Sequence, residues 1–312
     1  MNSERPLIAV VGSLHYDIML RTPYLPRLGE TLMGSAWGWK AGGKGGNQAT
    51  AAARHGGNVA MIGALGADDF AVKLRHGLRS AGVGLGHVRT VETGSGMSVA
   101  MVEAGGDYSA VVVTGANASI DADQIAGAAE LLREAKVLVL QNEIGEAANS
   151  AAARIVKAAG GRVVLNAAPA RTLGRELAGN VDVLLVNAIE AEMLGAGPVD
   201  SLVSASAAAR YLQTVAPSVV VTAGAQGVAF CLSGDSGSLA AHPVAQAQTH
   251  GAGDVFVGAL AARLAADDGL PTALAYANAA AALHVGADEA KRALIGRADV
   301  RAFLGKSAGP IA

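Results

Sequence analysis

The sequence predicts an α/β fold in which a mainly parallel sheet is covered by helices on both faces. From Val137 to His284, short apolar runs alternate with helical stretches, and repeated strand–helix units build parallel sheets. Apolar residues make up 51% of the 312 residues, glycine accounts for 41, and aromatic residues are only 4%. Small side chains of this kind suit close packing between helices and a buried sheet. No linker or repeat marks a boundary, so we expect a single domain over residues 1–312.

The first part of the chain opens with a strand and a glycine-rich turn. Leu7–Val11 is an apolar run that ends at Gly12, as a buried strand entering a turn does, and it does not have the pattern of a signal peptide. Gly42–Arg54 is predicted as a glycine-rich turn that runs into an Ala-rich helix. Asn58–Ala64 is predicted as a further strand.

Two hairpins are predicted to interrupt the alternation, at roughly Glu30–Trp39 and Met97–Thr114. In the second, strands Met97–Glu103 and Tyr108–Thr114 flank residues 104–107, whose Ala-Gly-Gly-Asp sequence suits a tight turn. These hairpins are candidates for a small lid beside the main sheet.

The remaining elements follow the strand–helix pattern, after a helix whose predicted N-cap is Asp121. Helices are predicted at Ala147–Ala159, Glu190–Leu194, Ser201–Val215, Gly253–Ala266 and Pro271–His284. Strands are predicted at Val137–Leu140, Val163–Leu165, Val183–Val186 and Val219–Thr222, with a late antiparallel pair at Val228–Leu232 and Ser238–Ala240.

Charge, cysteine content and motifs exclude several classes of function. The net charge of −2 gives no overall field that attracts nucleic acid or anionic lipid, and no uninterrupted apolar run reaches the roughly 18 residues of a membrane span. The single cysteine, Cys231, cannot form an internal disulfide, so a cytoplasmic location is expected. Histidine spacing for a transition metal, a nucleophile elbow and a dinucleotide fingerprint after the first strand are all missing from the sequence.

Polar residues follow several of the predicted strands directly. In parallel sheets, ligands bind at the carboxyl ends of strands, which makes these segments candidates for a site. The segments are Ser13–Asp17, Gln141–Glu143, Asn166–Arg171, Asn187–Glu190, Thr222–Gly227 and Gln248–Asp254.

The segment Thr249–Asp254 carries the strongest chemical signal. Gly251, Ala252 and Gly253 precede or open a helix, where backbone N–H groups and the helix dipole favour an anion such as a transferring phosphoryl group. Asp254 in the first turn can accept the proton of an alcohol that attacks phosphorus. The alternative interpretation is that Asp254 is an ordinary helix cap.

The glycine-rich segment Gly38–Gly45 nearly matches a P-loop, but Gly45 stands where Ser or Thr must hold Mg²⁺. A loop in which Gly43, Lys44 and Asn47 bind a polyol is the functional alternative, because vicinal hydroxyls need both donors and acceptors. A flexible glycine turn fits the spacing equally well.

Four further segments have a functional and a structural interpretation each. Asp17 and Glu143 follow strands and can accept hydrogen bonds from hydroxyls, or act as ordinary turn residues. Asn187 and Glu190 can orient the waters of a Mg²⁺ beside phosphates, or form an N-cap with a capping box. The small residues of Thr222–Gly227 can admit an adenine, or form a tight turn.

Taken together and in this order, the segments resemble the ribokinase family of PfkB-type carbohydrate kinases, from about Ile8 to Ala282. Gly42–Ala49 looks like the N-terminal signature of the family, and Thr249–Phe256 looks like the C-terminal one. Three other segments match in character and order: Asn166–Arg171, Asn187–Glu192 and Ala275–Ala282.

The resemblance implies a ribokinase-like three-layer α/β/α sandwich with a mainly parallel central sheet and a small β lid, at about residues 14–40 and 97–115. The lid is often used for dimerisation in this family, so a homodimer is expected. The resemblance also implies an enzyme that uses ATP and Mg²⁺ to phosphorylate a primary hydroxyl of a pentose such as ribose.

The resemblance assigns roles by matching position. Asp254 would be the base, with the anion hole at Gly251, Ala252 and Gly253. The sugar would be held by His15, Asp17, Gly43, Lys44, Asn47 and Glu143. Asn187 and Glu190 would serve the Mg²⁺–phosphate region. The nucleotide site would be lined by Asn187, Thr222, Gly224, Gly227 and Asn278.

Three positions depart from the family pattern. His15 stands where ribokinases usually carry Asn, which leaves open a nucleoside or a fructose-type substrate. Gln248 stands where an Asp helps to bind an activating monovalent cation, and residues 286–291 do not match the loop that completes that cation site. Weak or absent activation by K⁺ is therefore expected, and a sugar-binding sensor without catalysis is a third hypothesis.

Overall fold

The strands of the computed structural model alternate with helices along most of the chain. It describes residues 5–103, 105, 107–233, 235–245 and 248–307. Within those residues the strands, in chain order, are β1 (Leu7–Val11), β2 (His15–Thr22), β3 (Ala36–Gly42), β4 (Asn58–Gly66), β5 (Gly84–Val91), β6 (Gly96–Glu103), β7 (Tyr108–Val113), β8 (Ala135–Gln141), β9 (Arg162–Asn166), β10 (Val183–Asn187), β11 (Ser218–Thr222), β12 (Gly227–Leu232) and β13 (Asp235–Ala240).

The α-helices of the same described residues are α1 (Lys44–Arg54), α2 (Asp69–Ser80), α3 (Ala122–Gly127), α4 (Ala129–Glu134), α5 (Glu146–Ala158), α6 (Arg175–Ala178), α7 (Ala188–Met193), α8 (Leu202–Tyr211), α9 (Ala252–Ala265), α10 (Leu270–Gly286), α11 (Glu289–Arg292) and α12 (Arg297–Ser307). Of these, not one combines the length and the hydropathy that would let it cross a membrane.

Nine strands form the large sheet, in the order β13-β12-β11-β10-β9-β8-β1-β4-β5. All neighbours from β11 to β5 are parallel, whereas β12 and β13 add an antiparallel edge. The central strands are apolar on both faces, as in Leu7–Val11, where every residue is buried. Strands of that composition require cover on both sides, which the helices provide.

Two separate hydrophobic cores lie on the two faces of the large sheet. One core contains side chains of α3, α5 and α8, and the other contains side chains of α1, α2, α9 and α10. The layers are therefore helix, sheet and helix, which confirms the predicted sandwich.

The helices α1 and α9 approach each other closely at a glycine. A Cβ atom on Gly258 would lie 2.5 Å from Cβ of Ala51 and 2.6 Å from the carbonyl oxygen of Gln48. Glycine at this position lets α9 pack directly on α1, and this contact sets the distance between the two glycine-rich segments that precede those helices.

A second, four-stranded sheet has the order β3-β2-β6-β7. The strands β2 and β6 are parallel, and β3 and β7 flank them in antiparallel pairs. On one face, Tyr16 stacks on Phe70 of α2 with 4.1 Å between ring centroids, which holds the small sheet against the large one.

Most predicted strands and helices are present with ends shifted by one or two residues. The prediction of a hairpin at Glu30–Trp39 is wrong, because β2 pairs with β3 instead and residues 23–35 connect them. The connection contains Pro23 and Pro26, which lack the N–H groups that a sheet needs. The hairpin of β6 and β7 is confirmed, although two residues of its turn, 104 and 106, lie outside the described residues.

Candidate active site

A cleft of about 350 Å³ lies where the carboxyl ends of β8, β9, β10 and β11 face the small sheet. That volume is in the range of small-molecule sites, roughly 300–1,000 Å³. The cleft is lined by His15, Asp17, Gly43, Lys44, Asn47, Ser98, Val112, Glu143, Asn166, Ala168, Leu185, Asn187, Glu190, Thr222, His250, Gly251, Gly253 and Asp254. Residues from distant parts of the chain therefore converge on one site.

The carboxyl of Asp254 is held by two side-chain amides of α1. Asn47 Nδ2 donates to Oδ2 at 3.0 Å, and Gln48 Nε2 donates to Oδ1 at 2.9 Å. Burial raises the pKa of Asp254 above its ordinary value, against the opposing effects of Lys44 and the two amides. The carboxylate is thus oriented by fixed donors and has more proton affinity than an exposed aspartate.

Gln48 connects Asp254 to a buried amide network. Its Nε2 also donates to Asn166 Oδ1 at 3.0 Å, and its Oε1 accepts from Gln141 Nε2 at 2.8 Å. Gln48 and Gln141 are fully buried. Because Gln141 donates to the oxygen of Gln48, the nitrogen of Gln48 has to face Asp254, and so the network fixes the direction of the hydrogen bond to the carboxylate.

Sequence reasoning named Gln48 within the glycine-rich segment but gave it no role. A signal was present, because Gln48 shares a helix face with Ala51 and Ala52, both buried in the core. A polar residue at an apolar position of an amphipathic helix requires a buried partner.

The N-terminus of α9 presents free N–H groups to the cleft. Gly251 is left-handed with φ of 80°, a conformation that favours glycine. Ala252 N donates to Thr249 O at 3.1 Å, so Ala252 is not a free donor. In the described part of the chain the N–H groups of Gly251, Gly253 and Asp254 have no hydrogen-bond partner, and they lie at the positive end of the helix dipole.

The N-terminus of α1 is capped by Glu143 from the end of β8. Lys44 N donates to Glu143 Oε2 at 2.8 Å, and Ser13 Oγ donates to the same oxygen. A Cβ on Gly43 would lie 2.8 Å from the carbonyl oxygen of Ser13, and Gly43 has φ of 81°, so only glycine fits this turn. Glu143 therefore organises the loop, and its Oε1 accepts no hydrogen bond from any residue that the structure describes.

Lys44 contributes a positive charge to the site. In the described part of the chain no hydrogen bond or ion pair holds its ammonium group, yet its charge acts on both Asp254 and Glu190 and opposes the rise in their pKa values. An ammonium that has no partner among the described residues and acts on both carboxylates can attract an anionic ligand group.

The small sheet contributes His15 and Asp17 from β2. Ser98 Oγ donates to Asp17 Oδ1 at 2.5 Å, which leaves Oδ2 beside Gly42 at the wall of the cleft. The His15 side chain is 5% exposed, and its buried Nε2 has no hydrogen-bond partner in the described part of the chain. The residue lines the cleft, and a buried polar nitrogen without a partner has an unmet need for a hydrogen bond.

Asn187 and Glu190 form a capping box at the start of α7. Glu190 N donates to Asn187 Oδ1 and Asn187 N donates to Glu190 Oε2, each at 2.8 Å. This is the structural alternative that the sequence left open, and both residues also line the cleft. Burial raises the pKa of Glu190, with a smaller contribution from Asp254 and an opposing one from Lys44.

The donor set fits a Mg²⁺ that keeps most of its waters. Among the described residues, no three His, Cys, Asp or Glu side chains are grouped as metal ligands. The capping box uses Glu190 Oε2, and Glu190 Oε1 takes no part in it. A hard cation bound mainly by phosphates and water needs few protein oxygens, and Glu190 can orient those waters.

Four of the predicted site residues do not line the cleft. Ala252 is one, and the other three belong to the predicted nucleotide site. Gly224 borders open space, and Gly227 has φ of 120° where a Cβ would lie 2.1 Å from Leu239 O. Asn278 is buried and donates to Ala240 O at 2.8 Å, so its amide supports the end of β13. By contrast Thr222 lies in the cleft wall.

The chain is similar to carbohydrate kinases over nearly its whole length. Residues 5–294 match the model of the family described as "pfkB family carbohydrate kinase". The chain is 32% identical over 302 residues to the ribokinase of Haemophilus influenzae, covering 96% of this chain and 99% of that protein. It is 35% identical over 257 residues to the deoxyribokinase of Salmonella typhi, covering 81% and 84%. A structure of Arabidopsis thaliana ribokinase complexed with ribose and ATP is similar with a TM-score of 0.89 and 31% identity, covering 96% of this chain and 99% of that one.

Proposed function

The chain belongs to the pfkB family of carbohydrate kinases, and we propose that it transfers the γ-phosphate of ATP to a primary hydroxyl of a pentose such as ribose. The observation that carries the proposal is the position of Asp254. Its carboxylate is oriented by Asn47 and Gln48 at the wall of a cleft that also contains the free N–H groups of Gly251 and Gly253. A base beside an anion site suits attack of an alcohol on phosphorus.

The names of similar proteins support the substrate class. The relatives are called ribokinases and deoxyribokinases, and the Arabidopsis thaliana protein is seen with ribose and ATP. By position in the cleft, Asp17, Asn47 and Glu143 would hold the sugar, next to Gly43 and His15. Asn187, Thr222, Gly224, Gly227 and Asn278 remain the proposed nucleotide site.

In the proposed reaction Asp254 accepts the proton of the sugar hydroxyl while that oxygen bonds to the γ-phosphorus and the bond to the ADP oxygen breaks. Its pKa, raised by burial, suits a group that takes up a proton during the step. Lys44 and the N–H groups at α9 stabilise the negative charge on the phosphoryl oxygens. Mg²⁺, when bound, neutralises charge on the phosphates, and Glu190 with Asn187 would hold its waters.

His15 is the residue that sets the identity of the sugar in this proposal. His15 lines the cleft together with Asp17 and Ser98, and among the described residues its buried Nε2 has no hydrogen-bond partner. An imidazole donates to or accepts from a hydroxyl, so a sugar that offers a hydroxyl at this position gains a hydrogen bond in a buried site. The alternative is a nucleoside or fructose kinase, in which the substrate would make a different contact with His15.

A panel of sugars tests the proposal. ADP release is measured with ribose, 2-deoxyribose, fructose and nucleosides, with Mg²⁺ present, for the natural chain and for His15→Ala. We expect a pentose to have the highest kcat/KM. In His15→Ala the ratio of kcat/KM for that pentose to kcat/KM for the other sugars should fall about tenfold or more, as expected for a lost buried hydrogen bond. Sugar binding by calorimetry without any ADP release would instead support the sensor hypothesis.

The small sheet is proposed to act as a lid, over about residues 14–40 and 97–115, and as a dimer interface within a single kinase domain. Alternation places Trp37, Trp39, Val111 and Val113 on the face opposite to Asp17, and their exposed fractions run from 43% to 70%. An apolar face of this kind suits a second copy of the chain. Sedimentation of the natural chain and of Val111→Lys tests this, and a monomer in both would refute it.

A cytoplasmic location is proposed on two grounds. The proposed reaction consumes ATP, and Cys231 is a free, buried cysteine, which suits a reducing compartment.

A further inference from the structure

Arg292 of α11 binds a cluster of oxygen atoms from two separate segments. Its Nε donates to Ala287 O at 3.0 Å, its Nη1 to Gln248 Oε1 at 2.8 Å, and its Nη2 to Gln248 O at 2.7 Å and Val285 O at 3.5 Å. The half-buried guanidinium therefore has four oxygen acceptors around its planar edge. Such a fork geometry is specific to arginine.

The two segments are the C-terminal end of α10 and the approach to the catalytic turn. Val285 and Ala287 carry carbonyl groups at the end of α10, where the helix dipole is negative and a cation is favoured. Gln248 stands just before the segment that ends in Gly251 and Asp254. A second contact between the same segments joins His284 Nε2 and His250 O at 3.0 Å.

Arg292 and its partner Gln248 line a second cavity that adjoins the cleft. This cavity of about 250 Å³ is lined by Arg292, Gln248 and His284 together with Gly251 and Asp254. Because Gly251 and Asp254 line both cavities, the turn between them is the partition, and its position depends on how Gln248 is held.

The monovalent cation that the family resemblance implies does not fit this cluster. Its expected partners are residue 248 and the loop after Val285, and the oxygens of those segments already accept from Arg292. Residue 248 is an uncharged amide, and the same cavity is lined by the cations Lys40 and Arg54 as well as by the acidic Asp254 and Glu289. A bound K⁺ would lie against a permanent positive charge in a half-buried place, where like charges repel strongly.

We infer that Arg292 takes the place of the monovalent cation, so that the kinase needs no K⁺ and Arg292 acts as a positioning residue for the Gly251–Asp254 turn. This inference rests on the proposed kinase function. The positive charge is part of the protein chain. The guanidinium of Arg292 joins α10 to the Gly251–Asp254 turn through its hydrogen bonds to the four oxygens. Arg292 does not line the sugar cleft, so it acts on turnover through Gly251 and Asp254.

The test compares the natural chain with Arg292→Ala, Arg292→Lys and the control Lys291→Ala. Lys291 is the neighbouring exposed cation, paired with Asp288, and its removal subtracts the same charge without touching Gln248. Rates of ADP release are measured at constant ionic strength in tetramethylammonium, Na⁺ or K⁺ chloride, with and without low millimolar guanidinium. Melting temperatures are recorded for each variant in the same salts.

We expect the natural chain and Lys291→Ala to change by less than about twofold among the salts. Arg292→Ala should lose about ten- to a hundredfold in kcat, as for a lost set of charged hydrogen bonds, with a small change in KM for the sugar. Guanidinium should recover part of the rate and of the melting temperature of that variant only. Arg292→Lys, which keeps the charge, should fold normally and have an intermediate kcat.

Tenfold or stronger activation of the natural chain by K⁺ would overturn the inference, as would an Arg292→Ala variant that behaves like Lys291→Ala. If no sugar releases ADP, the kinase proposal fails, and the melting temperatures still decide the question for Arg292. Stabilisation of the natural chain by K⁺ but not by tetramethylammonium would then count against it. Stabilisation of Arg292→Ala alone, by guanidinium, would support it.

Discussion

Replacing Gln48 with leucine removes the donor that orients the proposed base. The side chain keeps its approximate size but no longer donates to Asp254 Oδ1, and Asn166 Oδ1 and Gln141 Nε2 lose their buried partner. A hydrogen bond to a charged group contributes about 1.5–3 kcal/mol, and each unsatisfied buried group costs about 1–3 kcal/mol. If the first amount is lost from the transition state, kcat/KM falls about ten- to a hundredfold.

The pH dependence distinguishes orientation of the base from a general loss of structure. Gln48 stabilises the ionised form of Asp254, so its removal should raise the pKa of Asp254 further and move the acid limb of kcat/KM to higher pH. The assay is a pH–rate profile with saturating ATP, together with urea unfolding. The matched control is Gln141→Leu, which removes the bond to Gln48 Oε1. It leaves Asn166 Oδ1 and Asp254 Oδ1 as the two acceptors that still orient Gln48 Nε2, so the donor to the carboxylate remains.

We expect both variants to lose unfolding free energy, and only Gln48→Leu to shift the acid limb. A Gln48→Leu variant with reduced stability and an unshifted acid limb would refute the assignment of Gln48 as the residue that positions the base.

The remaining predictions concern stability. Gly258→Ala should lower the free energy of unfolding by about 1–3 kcal/mol in urea titrations, because its Cβ would collide with Ala51 where α9 packs on α1. Gly77→Ala in α2, where a Cβ meets nothing within 4 Å, should instead stabilise by up to about 1 kcal/mol, and equal effects of the two changes would contradict the packing argument. His55 is buried against the Tyr276 hydroxyl at 2.9 Å, and burial, with a smaller effect of Arg54, lowers its pKa from 6.5 to about 4. As the pH falls, His55 is therefore protonated in the unfolded chain before it is protonated in the folded one. Its contribution to the free energy of unfolding is fully present above about pH 6.5 and is lost toward pH 4, by at most roughly 3 kcal/mol. His55→Gln should flatten that part of the stability profile, and an unchanged slope would show that other groups produce it.

The large sheet could be predicted because its strands carry an unambiguous signal. Apolar runs such as Val183–Val186 end in a polar residue and are followed by a helical stretch, and both features come from local sequence. The helix α2 and the strand β5 went unassigned, although Asp68 is an N-cap that accepts from Ala71 N at 2.8 Å. The strand β5 lies at the edge of the sheet and is only partly buried, so its pattern is weak.

The partners of the small sheet could not be read from local sequence. The strand β2 pairs with β3 across a 13-residue connection and with β6 over more than 70 residues, and nothing near His15 indicates either partner. The sequence was instead interpreted as a local hairpin at Glu30–Trp39. Pairing over such distances is decided by which faces can be buried together, which requires the whole fold.

Like the fold, the candidate site has features that local sequence predicts and features that it does not. Sequence patterns identified the two glycine-rich turns and the residues at strand ends, because glycine and polar residues at those places are unusual in a core. They did not show that Ala252 N donates to Thr249 O, because that bond depends on the exact course of the turn. They also did not show that Gln48 joins Asp254 to Gln141, because those residues lie far apart in the chain.

The most direct test of the account is the turnover of Asp254→Asn, measured beside its affinity for the sugar. Asparagine has nearly the same shape but cannot accept the proton, so we predict a loss of at least about a hundredfold in kcat, the lower range for a general base, with sugar binding by calorimetry changed less than about threefold. An Asp254→Asn variant that turns over at a rate near that of the natural chain would contradict the assignment of the base and, with it, the proposed mechanism.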